Sequence, residues 1–142
     1  MKYLCLIFLF TFSCAQVSKK KEDETPKVEK LLKSRKITLY FKVNESKLNK
    51  LHETRFKEFL KESLTKGKIQ SITITGHTDS TGPASLNEKL SEQRAVHVKE
   101  ILLQNTDIKT DIKLESYGSR VSSSSKESDY KHNRRVEVIL GF

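Results

Sequence analysis

The sequence lacks most of the features that would place it in several large protein classes. It has two cysteines in 142 residues, Cys5 and Cys14, which is too few for a disulfide scaffold. It contains no GxSxG nucleophile elbow, no phosphate-binding P-loop, no HExxH zinc motif and no internal repeat. Its longest apolar run, residues 3–10, is shorter than the ~20 residues that a membrane-spanning helix needs. A disulfide-rich scaffold, the common hydrolase types and a membrane-embedded protein are all disfavoured.

Positive charge predominates in the sequence. The chain has 27 Lys and Arg against 18 Asp and Glu, a formal net charge of +9. Such a balance suits a polyanionic partner: nucleic acid, an anionic membrane face or an acidic wall polymer. Charge alone does not choose among these three.

The first fourteen residues have the three-part pattern of a secretory signal. Lys2 precedes the apolar run, and Ser13 and Cys14 end it. A small residue followed by Cys resembles a bacterial lipobox, so we predict a signal peptide over 1–13 and lipid, palmitate included, on Cys14. Ordinary cleavage after Cys14 or Ala15 is the alternative. Lipidation would leave no free thiol in the mature chain, and export argues against nucleic acid as the partner.

Composition and periodicity divide the rest into a tether and one domain. Residues 14–35 begin with the Cys that we predict to be lipidated. The rest of this segment is rich in Lys and Glu and poor in apolar residues, which predicts a charged tether. In residues 36–142, period-two alternation predicts strands over 36–43, 69–75, 112–116 and 134–140. A helical period predicts helices over 47–64 and 83–103. The predicted fold is therefore a two-layer α/β sandwich, β-α-β-α-β-β, with two helices packed on a mixed four-stranded sheet.

Arg94 interrupts the apolar face of the second predicted helix. It lies near the centre of an arc that also holds Leu90 and Val98, and Arg is rarely buried without a partner. The side chain either has an internal acid or lines a cavity that receives one. Asp79, just ahead of the helix, is the candidate neighbour, so a purely structural ion pair and a ligand pocket both remain open.

Several short motifs, in order, resemble one family. They are Gly76-His77-Thr78-Asp79, Gly82, Asn87, Leu90-Ser91, Arg94-Ala95, Ser116-Tyr117-Gly118 and Asn133-Arg134-Arg135-Val136-Glu137. Together they resemble the OmpA-like peptidoglycan-binding domains, over roughly residues 37–142. The layout, a predicted anchor ahead of the domain, resembles that of the peptidoglycan-associated lipoproteins. The chain departs from the family after Gly118, where Ser119-Arg120-Val121 and further serines replace the usual Glu and Pro.

The resemblance implies a pocket for the free, zwitterionic end of diaminopimelate in a peptidoglycan stem peptide. Asp79 would take the ammonium group and Arg94 the carboxylate. Asn44, Thr78, Asn87 and Arg135 complete the predicted ligand-binding set. No cofactor is implied, and His77-Thr78-Asp79 lacks a third ligand for a metal.

These features predict a non-enzymatic lipoprotein of the outer membrane, with its domain in the periplasm. It would bind peptidoglycan non-covalently through diaminopimelate, or an equivalent stem residue, and tether the envelope to the wall. The alternative is a basic periplasmic scaffold for another anionic partner, without a specific stem-peptide pocket.

Overall fold

A computed structural model of the chain describes residues 33–121 and 129–142. The predicted signal peptide, Cys14, nearly all of the predicted tether and residues 122–128, which include the serines after Val121, lie outside the described residues. The first strand begins at Ser34, so Arg35, predicted to belong to the tether, lies inside the sheet.

The described residues form four strands and two long helices, in the order expected. The strands are β1 (Ser34–Tyr40), β2 (Ser71–Gly76), β3 (Ile112–Ser116) and β4 (Arg135–Gly141), and the long helices are α1 (Lys50–Leu64) and α2 (Ala84–Asn105). A single-turn helix, α3 (Tyr130–Asn133), precedes β4, in the stretch between the last two predicted strands. The predicted two-layer α/β arrangement with a mixed sheet is confirmed.

The sheet has the strand order β1-β4-β2-β3. Strand β4 is antiparallel to both β1 and β2, and β3 pairs with β2 in parallel. Each strand–helix–strand unit therefore returns its chain to the same end of the sheet. Consequently the loops after β1, β2 and β3 meet at one end, and the turns after α1 and α2 lie at the other.

The helices pack on one face of this sheet around a continuous apolar core. Helix α1 begins where the side chain of Asn49 accepts a hydrogen bond from the backbone N–H of His52. It contributes Phe56 and Leu60 to the core, beside Val136 and Val138 of β4. In α2 the buried stripe is polar in its first half (Asn87, Ser91, Arg94) and apolar in its second half (Val98, Ile101, Leu102). Across 33–121 and 129–142, no helix is long and apolar enough to cross a membrane.

A polar cleft at one end of the sheet

The polar half of the α2 stripe borders a cleft at the end of the sheet where the strand-to-helix loops meet. The cleft is lined by Val43, Asn44, Thr78, Asp79, Thr81, Asn87, Leu90, Arg94 and Arg134. Its walls come from the loop after β1, the loop after β2, the start of α2 and the residue before β4. Ligand sites in α/β sheets commonly lie at such a strand end.

Gly76 brings the loop after β2 against helix α2. A Cβ atom at Gly76 would lie 2.0 Å from the backbone oxygen of Ser91, so no other residue fits without moving the helix. The hydroxyl of Ser91 accepts a hydrogen bond from the N–H of Gly118 at 3.0 Å, and Thr78 N–H donates to the carbonyl of Gly118 at 2.8 Å. These contacts of Gly76, Ser91 and Gly118 thus fix the position of Thr78 and Asp79 relative to α2.

Arg94 is completely buried, and its partners are backbone carbonyls rather than an acid. Its guanidinium donates to the carbonyls of Glu45 at 2.9 Å, His77 at 3.0 Å and Lys42 at 3.1 Å. It also lies 5.1 Å from the ring centre of Phe41. Burial lowers the pKa of Arg94 to about 10, against an opposing effect of Asp79, so the group stays charged at neutral pH. Arg94 therefore ties the loops after β1 and β2 to the helix.

Asp79 is paired with Arg134, a residue that the sequence-based site did not include. Nη1 of Arg134 lies 2.8 Å from Oδ2 of Asp79, with the side chains only 16% and 7% exposed. The backbone N–H of Thr81 donates to Oδ1 at 3.1 Å, and the Thr81 hydroxyl donates to the same atom. Burial alone would raise the pKa of Asp79, but the hydrogen bonds from Thr81 and Arg134 outweigh it and lower the pKa. Asp79 is thus an anion held by one cation at the cleft.

The cleft is small while this ion pair lies in it. Its volume is about 10 Å³, roughly the room for one water molecule. Arg94 uses one N–H of each nitrogen for the three carbonyls, so each terminal nitrogen retains one further N–H. The cleft therefore brings together one carboxylate and two guanidinium groups around a small space.

Three other residues predicted for the site line the same cleft. Asn44 is exposed and has a φ of 56°, a left-handed conformation that Asn tolerates better than most side chains. Thr78 is 1% exposed, and its hydroxyl has no hydrogen-bond partner. The side-chain amide of Asn87 donates to the carbonyl of Thr81 at 2.9 Å, which shapes the loop that carries Asp79.

Arg135 does not line the cleft, contrary to the prediction. Its Nε donates to Oε1 of Glu137 at 2.8 Å on the sheet face that the helices leave uncovered. Successive residues of a strand point to opposite faces. Val136, Val138 and Leu140 face the helices, so Arg134 shares their face and Arg135 does not. This alternation was present in the sequence and distinguishes Arg134 from its neighbour.

His77 lies directly behind the cleft, on the uncovered face. The residue is 4% exposed, and its ring stacks on Tyr117 with centroids 5.7 Å apart and has no hydrogen-bond partner at Nδ1. Burial and the charge of Arg135 lower the pKa of His77 to about 4. Within 33–121 and 129–142, no three His, Cys, Asp or Glu side chains cluster so as to hold a metal ion.

The low pKa of His77 makes the stability of the domain depend on pH. Between pH 6.5 and 4 the unfolded chain takes up a proton at this residue and the folded chain does not. The contribution of His77 to the free energy of unfolding is complete above pH 6.5. Roughly 3 kcal/mol of that free energy should be lost as the pH falls to 4. Urea unfolding at several pH values measures it. His77→Gln should show a smaller loss across this window than the parent, whereas equal losses in both proteins would contradict the assignment.

Comparisons with known proteins identify the family. The OmpA family matches residues 40–135, which includes the whole cleft. The chain belongs to the OmpA family. This confirms the family expected from the motifs. Since the members of the family are structural and non-enzymatic, it also confirms the prediction that the chain is not an enzyme.

Individual OmpA-family relatives are similar over much of the described domain. A peptidoglycan-associated lipoprotein of Buchnera aphidicola is 36% identical over 82% of this chain and 66% of its own length. The outer membrane porin F of Pseudomonas fluorescens is 38% identical over 49% of this chain and 22% of its own. The crystal structure of the peptidoglycan-associated lipoprotein from Burkholderia pseudomallei has the same fold, with a TM-score of 0.60, 19% identity, and coverage of 84% of this chain and 97% of that one. The chain thus spans less than two thirds of either of the first two relatives.

Proposed function

We propose that this OmpA-family domain binds peptidoglycan without cleaving it, through the zwitterionic end of a diaminopimelate residue in a stem peptide. The observation that carries the proposal is the presence of one carboxylate and two guanidinium groups in a single cleft. A free diaminopimelate end presents one ammonium and one carboxylate on the same carbon. Each charge of the ligand therefore has a partner of opposite sign in the cleft. The similarity to proteins named peptidoglycan-associated lipoproteins supports the same ligand.

Binding would proceed by exchange of partners. The ligand ammonium replaces Arg134 at Asp79, and the ligand carboxylate accepts from the guanidinium groups of Arg134 and Arg94. No charge is left unpaired at the end of the exchange, and the cost of removing the protein's own charges from water is largely met before binding. Asn44 and Thr78 also line the cleft, and we propose that they bond the remaining polar atoms of the stem peptide.

Purified sacculi test this function directly. The chain should co-sediment with sacculi, and free diaminopimelate added in excess should reduce the bound fraction. No soluble muropeptides should appear during the incubation. Binding that free diaminopimelate leaves unchanged, but that rises and falls with salt, would favour general attraction of the basic surface to an anionic polymer.

We further propose that residues 1–13 are a signal peptide, that Cys14 carries the lipid, and that the stretch from Cys14 to the start of β1 tethers the domain. The protein would then lie on the periplasmic side of the outer membrane, attached by its acyl chains. The apolar run followed by Ser13-Cys14 supports this arrangement, as do relatives named lipoproteins.

Replacement of Cys14 tests the anchor. Each acyl CH₂ buried in the membrane contributes ~0.8 kcal/mol, so Cys14→Ala should move the protein from the membrane fraction to the soluble periplasmic fraction. Cys5→Ala is the matched control and should leave the distribution unchanged. Retention of the Cys14 variant in washed membranes would contradict lipidation at this residue.

A further inference from the structure

The end of the sheet opposite the cleft is the end at which the chain enters the domain. Strand β1 begins there at Ser34, and the N–H of Phe142 donates to the carbonyl of Lys33 at 2.8 Å. The turn after α1 and the loop after α2 lie at the same end. Gly67, in the turn after α1, is close to the Phe142 ring, because a Cβ atom built on Gly67 would lie 4.0 Å from Cδ1 of that ring. We call this surface, formed by residues 33, 64–70, 106–111 and 142, the entry end.

A groove with an apolar floor crosses the entry end. It lies between residues 64–69 and 107–110 and has a volume of about 460 Å³, far larger than the cleft. The hydroxyl of Thr110 donates to the carbonyl of Ile69 at 2.9 Å and holds the two walls together. Leu64, at one edge, is 46% exposed although it is a large apolar side chain. The groove therefore presents apolar surface that the described domain does not cover.

Positive charge surrounds this apolar surface. Lys66, Lys68 and Lys109 are exposed, and within the described part of the chain none of them forms an ion pair. Exposed Lys33 adds a fourth ammonium group at the same end, against the two acids Asp107 and Asp111. Lysines around an exposed leucine combine the two attractions of a membrane interface, to charge in the headgroups and to the acyl boundary.

We infer that the entry end is a contact surface for an anionic phospholipid membrane. This inference rests on the proposed lipid anchor, because the anchor decides which surface the entry end meets. Lys33 is nineteen residues after Cys14, so the entry end stays within ~65 Å of the anchored residue. Tethering at this distance keeps the local lipid concentration high, and a weak contact of a few lysines is then sufficient to orient the domain.

Vesicle binding of the unlipidated protein tests the inference. The chain from residue 15 to 142, which contains every described residue, is sedimented with vesicles of phosphatidylcholine alone or mixed with about one quarter phosphatidylglycerol. We expect binding to the anionic vesicles and little to the neutral ones. Replacing Lys66, Lys68 and Lys109 together by Gln should weaken the anionic binding roughly 100-fold, at about fivefold per lysine.

A second triple variant removes the same charge from the cleft end of the domain. Lys47, Lys50 and Lys89 are exposed and also form no ion pair within the described residues. Their joint replacement by Gln should leave vesicle binding within a few-fold of the parent. An equal loss in both triple variants, or equal binding of the parent to neutral vesicles, would overturn the inference. The Lys66/Lys68/Lys109 variant should still co-sediment with sacculi, so a failure of the cleft proposal is distinguished from a failure of this one.

Discussion

Asp79→Asn is expected to abolish measurable co-sedimentation with sacculi while the domain stays folded. The substitution removes the only carboxylate among the residues lining the cleft. The ligand ammonium then has no anionic partner, and Arg134 has lost the acid 2.8 Å away. Loss of one partner of a hydrogen-bonded charge pair costs ~2–5 kcal/mol, or roughly 30-fold to several-thousand-fold in affinity. Circular dichroism and thermal unfolding check the fold of the same preparation.

The matched control for Asp79 is an acid with no place in the cleft. Asp111→Asn changes the net charge equally at an exposed position at the opposite end of the sheet, and it should bind sacculi like the parent. If folded Asp79→Asn retained parental affinity, the cleft would not be the binding site. The basic surface would then be the better explanation.

Arg94→Ala is expected to lower the free energy of unfolding by about 3–5 kcal/mol and to lose sacculus binding with it. The substitution leaves the buried carbonyl of His77 and the partly buried carbonyls of Lys42 and Glu45 without their donor, and a buried unpaired group costs ~1–3 kcal/mol. It also removes the contact with the Phe41 ring. A loss of this size is a large part of the ~5–15 kcal/mol that stabilises a typical domain. Urea unfolding at pH 7 measures it.

Arg94→Lys separates the structural role from the binding role. An ammonium retains the charge and part of the bonding to the three carbonyls, so stability should fall less than in the alanine variant. It cannot give a carboxylate the two parallel donors of a guanidinium, so binding should still fail. Arg55→Ala, at an exposed position on α1, is the control and should change neither quantity. Parental stability of Arg94→Ala would show that the three carbonyl bonds contribute little.

The fold could be predicted from periodicity because each element keeps one face in the core. Period two in β2 and β4 and the helical period in α1 are direct consequences of burying that face. The start of β1 could not be read in this way, because an edge strand tolerates charge. Arg35 resembles a tether residue in composition, yet in the fold its guanidinium donates to Ser63 and Glu62 of α1 at 2.9 and 3.0 Å.

The site could be predicted only in part, for a similar physical reason. The helical periodicity of α2 predicts that Arg94 is buried and needs partners, and an acid was the expected partner. The partners are backbone carbonyls of two loops, and a carbonyl belongs to every residue type, so no sequence pattern marks them. The actual partner of Asp79 is Arg134, fifty-five positions along the chain. Its identity follows from the alternation of β4, which places Arg134 rather than Arg135 on the helix side.

If the domain is tethered through the residues before β1 and binds the wall through the cleft, as we propose, the fold also determines how a mechanical load would pass through it. A pull between membrane and wall would then enter at Ser34 and leave at the opposite end of the sheet, parallel to β1. Strand β1 pairs along its whole length with β4, from Ser34 opposite Gly141 to Tyr40 opposite Arg135. Its hydrogen bonds lie across the line of force, so they are loaded together in shear instead of opening one after another. Under the proposed attachment, an edge strand that separates easily when it is peeled from one end would be loaded in the orientation in which it resists extension.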